Sequence, residues 1–126
     1  MNNTKLEWVQ KHEADFFKIT FQEMFTRNNA QQASEEWIKQ FKSKEPLKFH
    51  VIFDAKNLDD YEPTARSIWQ RTISTLKNQI LDITVITDSK VIAAGAKIMG
   101  VFTSFKINTV DCEEKIFAAM QKGVGA

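Results

Sequence analysis

The first part of the chain changes from an alternating pattern of apolar and polar residues to a helical one. Between Leu6 and Glu23 apolar side chains alternate with polar ones around a mostly polar centre at positions 12–15, which is typical of a β-hairpin. Apolar residues then recur every three or four positions, at Ala30, Ala33, Trp37, Ile38 and Phe41. This spacing predicts an amphipathic helix that Asn28 and Asn29 are able to cap and that ends before Pro46.

Three short apolar segments further along the chain predict strands. Leu47–Phe53 is rich in aromatic and β-branched residues and is bounded by proline and aspartate, so we expect a central strand that is buried on both faces. Ile80–Thr87 and Phe105–Val110 have the same character and predict two more strands. A loop over residues 56–61 is expected after the central strand.

Two helices are expected between these strands. Pro63 suits the first turn of one helix, where its missing amide hydrogen costs nothing. The buried stripe of that helix consists of Ala65, Ile68, Trp69, Thr72, Ile73 and Leu76. Asp88 or Ser89 caps the next helix, which carries Val91, Ile92, Gly95, Ile98 and Met99. We expect this helix to stop near Gly100, since glycine readily adopts the left-handed conformation found at helix ends.

A last helix completes the pattern. Asp111 and Glu114 have the spacing of a capping box, and the apolar side expected before Gly123 consists of Ile116, Phe117 and Met120. After the hairpin, strands and helices therefore alternate, which calls for a mostly parallel or mixed five-stranded sheet with about four helices. No linker or repeat divides the chain, so we expect a single α/β domain over residues 1–126.

Composition excludes several function classes. The 126 residues include 17 Lys and Arg against 16 Asp and Glu, for a net charge of +1, and contain no basic block; this argues against nucleic-acid binding driven by phosphate neutralisation. The longest uncharged stretch, Ile98–Phe105, is far shorter than a membrane span, and Met1–Trp8 lacks the apolar core expected of a signal peptide. A single cysteine, Cys112, forms no internal disulfide and favours a cytoplasmic location.

The order of elements resembles the STAS domain of bacterial anti-sigma-factor antagonists and of the cytoplasmic tails of sulfate transporters. Two stretches carry the resemblance: an Asp-Asp-Tyr-Glu-Pro-Thr-Ala turn at positions 59–65, and a strand that ends in Val-Ile-Thr-Asp at positions 85–88, followed by Ala94, Ala96 and Gly100. They are similar to the SpoIIAA-like branch, in which STAS is grouped with the CRAL-TRIO lipid-transfer fold. The resemblance spans nearly the whole chain and implies a SpoIIAA-like STAS fold.

The chain departs from this family at the phosphorylation site. In the phosphorylatable antagonists, the loop after the central strand carries an Asp-Ser pair whose serine accepts phosphate from a partner kinase. Here the turn has Asp60, Tyr61, Glu62, Pro63 and Thr64, with no serine where the family has one. The resemblance thus implies a domain that is not switched by phosphate at that point. Glu62 either imitates a permanently negative site or only stabilises a helix end.

A contact surface is expected at one rim of the sheet, because the segments that follow neighbouring parallel strands meet there. The predicted partner-binding residues are Asp59, Asp60, Tyr61, Glu62, Thr64, Arg66, Ser67, Met99 and Phe102. The apolar run at positions 98–102 is either covered by the hairpin or exposed as a partner or lipid surface. We therefore expect a non-enzymatic binding domain for an unknown protein partner. The alternative is an apolar small molecule or lipid in a cavity between helices and sheet, and an edge strand of the hairpin allows a homodimer.

Catalytic chemistry finds little support in the sequence. The acidic residues Asp54, Asp59, Asp60 and Glu62 suggest a metal-dependent enzyme as a weaker alternative. His12 and His50 lack the spacing of a zinc site, and His50 is expected to be a partly buried strand residue with a satisfied hydrogen bond. Cys112 is expected to be a packing residue near a helix start. We predict no catalytic residue, no metal ligand and no cofactor.

Overall fold

A β-hairpin is followed by three strands that alternate with helices. In this computed structural model, residues 4–105 and 107–118 are described. The elements are β1 (Lys5–Lys11), β2 (Ala14–Phe25), α1 (Arg27–Lys42), β3 (Phe49–Tyr61), α2 (Pro63–Thr75), a short 3-10 turn (Lys77–Gln79), β4 (Ile80–Ile86), α3 (Lys90–Thr103) and β5 (Ile107–Val110). A fourth helix, α4, is described over residues 114–118. The predicted number and order of elements are confirmed.

The five strands form one mixed sheet in which their spatial order equals their order along the chain. β1 pairs with β2 antiparallel, and every other neighbouring pair is parallel. Right-handed crossovers between sequential strands place their helices on one side, and α1, α2 and α3 do pack side by side there. We call this side the helix face. The opposite side, the far face, carries a smaller cluster in which Phe16, Ile52 and Ile86 pack against Ile116 of α4.

Aromatic rings fill the core on the helix face. Trp37 of α1 is fully buried, and its ring centre lies 5.1 Å from that of Trp69 and 5.8 Å from that of Phe53. Phe17 and Phe41 complete the shell around it. Such pairs add to the stabilisation that comes from burying large apolar surfaces. The prediction that Trp37 and Trp69 are core residues is confirmed.

The start of α1 differs from the expectation. Its cap is Thr26, whose side chain accepts a hydrogen bond from the backbone amide of Asn29 at 3.1 Å. Asn28 is exposed, whereas Asn29 is buried and its side chain donates to the carbonyl of Met24. The prediction of an asparagine cap was wrong. Threonine and asparagine side chains offer similar acceptors, so the sequence pattern did not distinguish Thr26 from Asn28. Because β2 ends at Phe25, the helix begins earlier than expected.

The end of α3 also differs from the expectation. The helix continues through Gly100 to Thr103, and the left-handed cap residue is Ser104, with φ of 62°. Gly100 is required for a different reason: a Cβ atom there would lie 2.8 Å from the carbonyl oxygen of Phe105. The backbone amide of Phe105 in turn donates to the carbonyl of Gly100 at 3.1 Å. Glycine therefore permits close approach of the returning chain and does not end the helix.

The central strand is almost twice as long as the prediction. β3 runs to Tyr61, so the expected loop at positions 56–61 is strand, while Leu47 lies outside it and is exposed. Gln22–Phe25 of β2 pairs with this second half across two register shifts. β4 ends at Ile86, opposite Asp54, so the extension has only β2 beside it. Backbone pairing with β2 outweighs the weak strand propensity of the Lys, Asn and Asp residues there.

The C-terminal elements begin later than predicted. β5 begins at Ile107 rather than Phe105. The first helical residue of α4 is 114, so Asp111 is too far upstream to cap the helix as the capping-box spacing predicted. Its carboxylate instead forms a salt bridge with the Lys115 ammonium group at 2.7 Å. Ile116 is buried and confirms the apolar side of the last helix. Met120 and Gly123, to which that prediction extended, lie outside the described residues.

Candidate functional site

The turn between β3 and α2 brings two helix N-termini together. Pro63 is the first residue of α2, as predicted. The backbone amide of Glu62 donates to the carbonyl of Phe25 at 3.0 Å, and its carboxylate accepts a hydrogen bond from the backbone amide of Arg27 at 2.6 Å. Arg27 is the first residue of α1, so the Glu62 side chain caps α1 and makes no cap bond to its own helix. A carboxylate at this position is favoured by the positive end of the α1 dipole.

Tyr61 connects this turn to α3. Gly95 lies so close to the phenol ring that a Cβ atom there would be 2.5 Å from the Tyr61 Oη and 3.2 Å from its Cζ. The small residue in α3 therefore makes room for the ring. Tyr61 and Met99 are both half-buried and pack against the main core. The structure thus brings Tyr61 of the turn and Met99 of α3 to the same cavity wall, whereas Phe102 lies in the last turn of α3.

A cavity of about 60 Å³ lies behind this contact, between the sheet, α2 and α3. Among the predicted site residues, Tyr61, Arg66 and Met99 line it, and the remaining wall consists of Phe21, Phe25, Phe53, Ala55, Leu58, Trp69, Val85, Ile92, Gly95, Ala96 and Ile107. The volume is far below the ~300–1,000 Å³ of sites that hold drug-sized ligands. The cavity therefore has the location that an apolar ligand would need but not the room for an acyl chain.

The outer side of α3 exposes apolar side chains. Val91, Ile98, Val101 and Phe102 are 67%, 43%, 81% and 71% exposed. They are four of the seven large apolar residues that are exposed in the described part of the chain, so the exposure is concentrated on one helix. The run at positions 98–102 is thus not covered by the hairpin. Gly100, on the inner side of the same helix, is buried. The inner side of α3 therefore packs against the rest of the protein, and the outer side faces solvent.

The other predicted contact residues are polar and accessible. Asp59, Asp60, Thr64 and Ser67 are exposed. The Asp60 carboxylate accepts from the backbone amide of Tyr61 at 2.8 Å, and the Ser67 hydroxyl donates to the carbonyl of Pro63 at 3.2 Å. These local bonds stabilise the turn and leave its carboxylates facing solvent.

The four acidic residues singled out in the sequence do not form one cluster. Asp54 points to the far face, where the Lys18 ammonium group lies 3.7 Å from its carboxylate and 3.0 Å from that of Glu113. These carboxylates hold the pKa of Lys18 above its ordinary value against the opposing effect of burial. Within residues 4–105 and 107–118, no three His, Cys, Asp or Glu side chains are grouped so that they would hold a metal ion.

The far face holds a pair that the sequence did not reveal. His50 of β3 and Asp82 of β4 are register partners in the parallel ladder, and the His50 Nδ1 lies 3.0 Å from both carboxylate oxygens. This confirms His50 as a partly buried strand residue with a satisfied hydrogen bond. The bond to Asp82 raises the pKa of His50 above 6.5, although burial opposes the shift. The only sequence signal was that each residue interrupts an apolar strand.

Comparison with solved structures identifies the fold. An uncharacterized protein of the DUF3478 family with a SpoIIAA-like fold, from Shewanella loihica PV-4, matches with a TM-score of 0.76 and 8% identity over 91% of this chain and 91% of that chain. The anti-sigma factor antagonist SpoIIAA in its unphosphorylated form matches with a TM-score of 0.62 and 12% identity over 98% of this chain and 99% of its own. No family model and no curated protein matches.

The chain therefore has the SpoIIAA-like fold of STAS domains, as the sequence predicted. Among the described residues, no helix has the length and apolar character needed to cross a membrane.

Proposed function

We propose that this chain is a non-enzymatic regulatory domain that acts by binding a protein partner. The contact surface, here called the α3 surface, consists of the exposed apolar residues of α3 and the neighbouring turn between β3 and α2. The observation that carries the proposal is the exposure of Val101 and Phe102, at 81% and 71%, on a helix whose inner side is already packed. Apolar patches that stay in contact with water mark interaction sites.

Charge favours a protein over other partners. Asp59, Asp60 and Glu62 are exposed beside the contact between Tyr61 and α3. Carboxylates there repel phosphate groups, and hence disfavour nucleic acid and anionic lipid surfaces. Because Lys90 and Lys97 are also exposed on α3, a protein with an apolar centre and charges of both signs at its rim fits the α3 surface. SpoIIAA, which shares this fold, is named as an antagonist of an anti-sigma factor, and so acts on another protein.

Regulation in this proposal does not use a phosphorylated serine in the turn. Position 61 is tyrosine, position 62 glutamate and position 63 proline. The Glu62 carboxylate holds a fixed negative charge at the start of α1, through its bond to the amide of Arg27. Binding would then depend on the amount of the partner rather than on a kinase.

The second candidate function is the binding of an apolar small molecule in the cavity of about 60 Å³ behind Tyr61. Its walls are suitable, and the indole N–H of Trp69, at the wall, has no hydrogen-bond partner within the described residues. The volume makes this the weaker candidate. Native mass spectrometry of freshly purified protein would show a bound species in several preparations if it were correct, and a clean apo mass would count against it.

The proposal is tested with two variants and one control. Phe102→Asp removes the apolar centre of the α3 surface, and Asp59→Lys reverses its acidic rim; Gln32→Asp, at an exposed position of α1, is the matched control. Each protein is used as bait in extracts of the source organism, and the recovered partner is then purified and its affinity measured by calorimetry. We expect the control to bind like the wild type and each variant to lose at least tenfold in affinity.

Equal affinity of all four proteins for the purified partner would overturn the α3 surface. Light scattering, which measures the oligomeric state, tests whether a second copy of this chain binds the α3 surface. A wild-type dimer that Phe102→Asp converts to a monomer would show that a second copy of this chain covers the surface, and would contradict a separate partner.

A further inference from the structure

A depression of about 300 Å³ lies on the far face, between the sheet and α4. Its apolar lining consists of Phe16, Val51, Ile52, Val110 and Ile116, and its polar lining of His50, Asp82, Thr84, Asn108 and Lys115. The volume reaches the lower end of the ~300–1,000 Å³ range of small-molecule sites. It also exceeds the ~150 Å³ of a protein cavity known to bind benzene. This depression has room for a small ligand, unlike the cavity behind Tyr61.

The titratable groups converge on the depression from three elements. His50 projects from β3 and is oriented by Asp82 of β4, since Nδ1 lies 3.0 Å from both carboxylate oxygens. The proton on Nδ1 is directed at that carboxylate, which leaves Nε2 as the ring nitrogen available to a ligand. Lys115 enters from α4 and is held at 2.7 Å by Asp111, with a side chain that remains 60% exposed.

Two neutral groups beside them have no internal partner. The side chains of Thr84 and Asn108 make no hydrogen bond to any residue in the described part of the chain. Both line the depression, where Thr84 is half-buried and Asn108 is exposed. Polar groups of this kind normally orient a ligand in a mostly apolar site. The depression therefore combines a cationic group, hydrogen-bonding side chains and an apolar wall.

We propose that this depression binds a small organic acid, with its carboxylate between the His50 imidazole and the Lys115 ammonium group and its apolar body against Phe16 and Ile116. Asp82 orients the imidazole and stabilises its charged form, and Asp111 positions the lysine.

Benzoate is a suitable probe, because its ring fits the volume and its charge matches the cations. The full chain is titrated with benzoate, and the ring resonances of His50 and His12 are followed by NMR near pH 6.5. We expect saturable shifts at His50 and none at His12, which is exposed at the tip of the hairpin. Benzamide, which has the same shape without the charge, should bind at least tenfold more weakly.

Two variants locate the site. His50→Gln should weaken benzoate binding at least tenfold, and Lys115→Ala, at a position too exposed to threaten folding, should do so as well. Absence of saturable shifts in the wild type, equal shifts at both histidines, or unchanged affinity in Lys115→Ala would each overturn the proposal. Saturation by inorganic phosphate but not by benzoate would overturn the choice of an organic acid. Phe102→Asp leaves this test unaffected, so its outcome is independent of the α3 surface.

Discussion

The two faces of the sheet differ in what covers them and in what they contain. On the helix face, three helices enclose aromatic rings and leave a cavity of about 60 Å³. On the far face, α4 packs on a small core and leaves a depression of about 300 Å³ lined by residues of two ion pairs, His50–Asp82 and Lys115–Asp111. Alternating residues of one strand show the contrast, since Ile83 and Val85 of β4 join the main core while Asp82 and Thr84 line the depression.

This difference follows from the order of the strands. Sequential parallel strands with right-handed crossovers place every crossover helix on the same side, so one face receives nearly all of the apolar cover. Several strand residues on the other face remain partly in water, so polar side chains there have a smaller desolvation cost than they would have in the main core. Stability is thus concentrated on the helix face, and the far face has space for polar recognition.

The largest expected effect tests this division of stability. Trp37→Ala removes a side chain that contacts four other rings of the core and should lower the free energy of unfolding by about 3–5 kcal/mol. Ile116→Ala on the far face, at 8% exposure, should cost about 2 kcal/mol. Urea denaturation measures both. An equal or larger loss for Ile116→Ala would contradict the concentration of stability on the helix face.

The two glycines of α3 test the packing of the helix face. Gly100→Ala places a methyl group 2.8 Å from the carbonyl oxygen of Phe105, which is backbone and cannot turn away. We expect a net loss of about 1–3 kcal/mol, reduced by the better helix propensity of alanine. Gly95→Ala meets only the end of the Tyr61 side chain, which is able to shift, and should cost less in the same urea experiment. A reversed order would show that Tyr61 is held rigidly.

The capping role of Glu62 predicts a smaller effect. Glu62→Ala leaves the amide of Arg27 without its acceptor and should cost about 1 kcal/mol of unfolding free energy. Glu62→Gln keeps an oxygen acceptor and should recover part of this loss. Thermal unfolding of the three proteins measures the difference. If both variants were as stable as the wild type, the carboxylate would be free for another role, such as contact with a partner.

The smallest effect tests the far face by pH. The pKa of His50 is raised above 6.5 by its bond to Asp82, so this pair stabilises the folded state fully below pH 6.5 and less as the pH rises through the pKa of the folded protein. The stability advantage of the wild type over Asp82→Asn should therefore shrink with rising pH. NMR titration should also give a lower pKa for His50 in that variant. An advantage that grows with pH would have the wrong sign for this pair.

Much of the fold was predictable from the chain, and the reason is periodicity. The stripes of α1 and α2 mark a buried side at helical spacing, and Pro63 and Ser89 mark helix starts. The strand extension to Tyr61 was not predictable, because its residues have weak strand propensity and are held by pairing with β2. The N-cap of α1 was also not predictable, because Thr26 and Asn28 offer equivalent acceptors.

The candidate sites were predictable only in part. The meeting of Tyr61 with α3 followed from the rule that the ends of neighbouring parallel strands lie at one rim. The pairing of His50 with Asp82 depends on the register between β3 and β4, which shifts after Phe49 and leaves no trace in the sequence. A one-residue change in register would have placed a different side chain beside the imidazole.

Hydrophobic periodicity is a local property, and it was sufficient to predict a hairpin, alternating strands and helices, and a SpoIIAA-like order of elements. The packing of the elements was needed to show that Phe102 faces water, that Gly100 makes room for the returning backbone, and that Glu62 caps α1 instead of α2. Periodicity shows which side of an element is apolar, but not which other element covers that side. The α3 surface and the depression on the far face both exist because of how the helices cover the sheet.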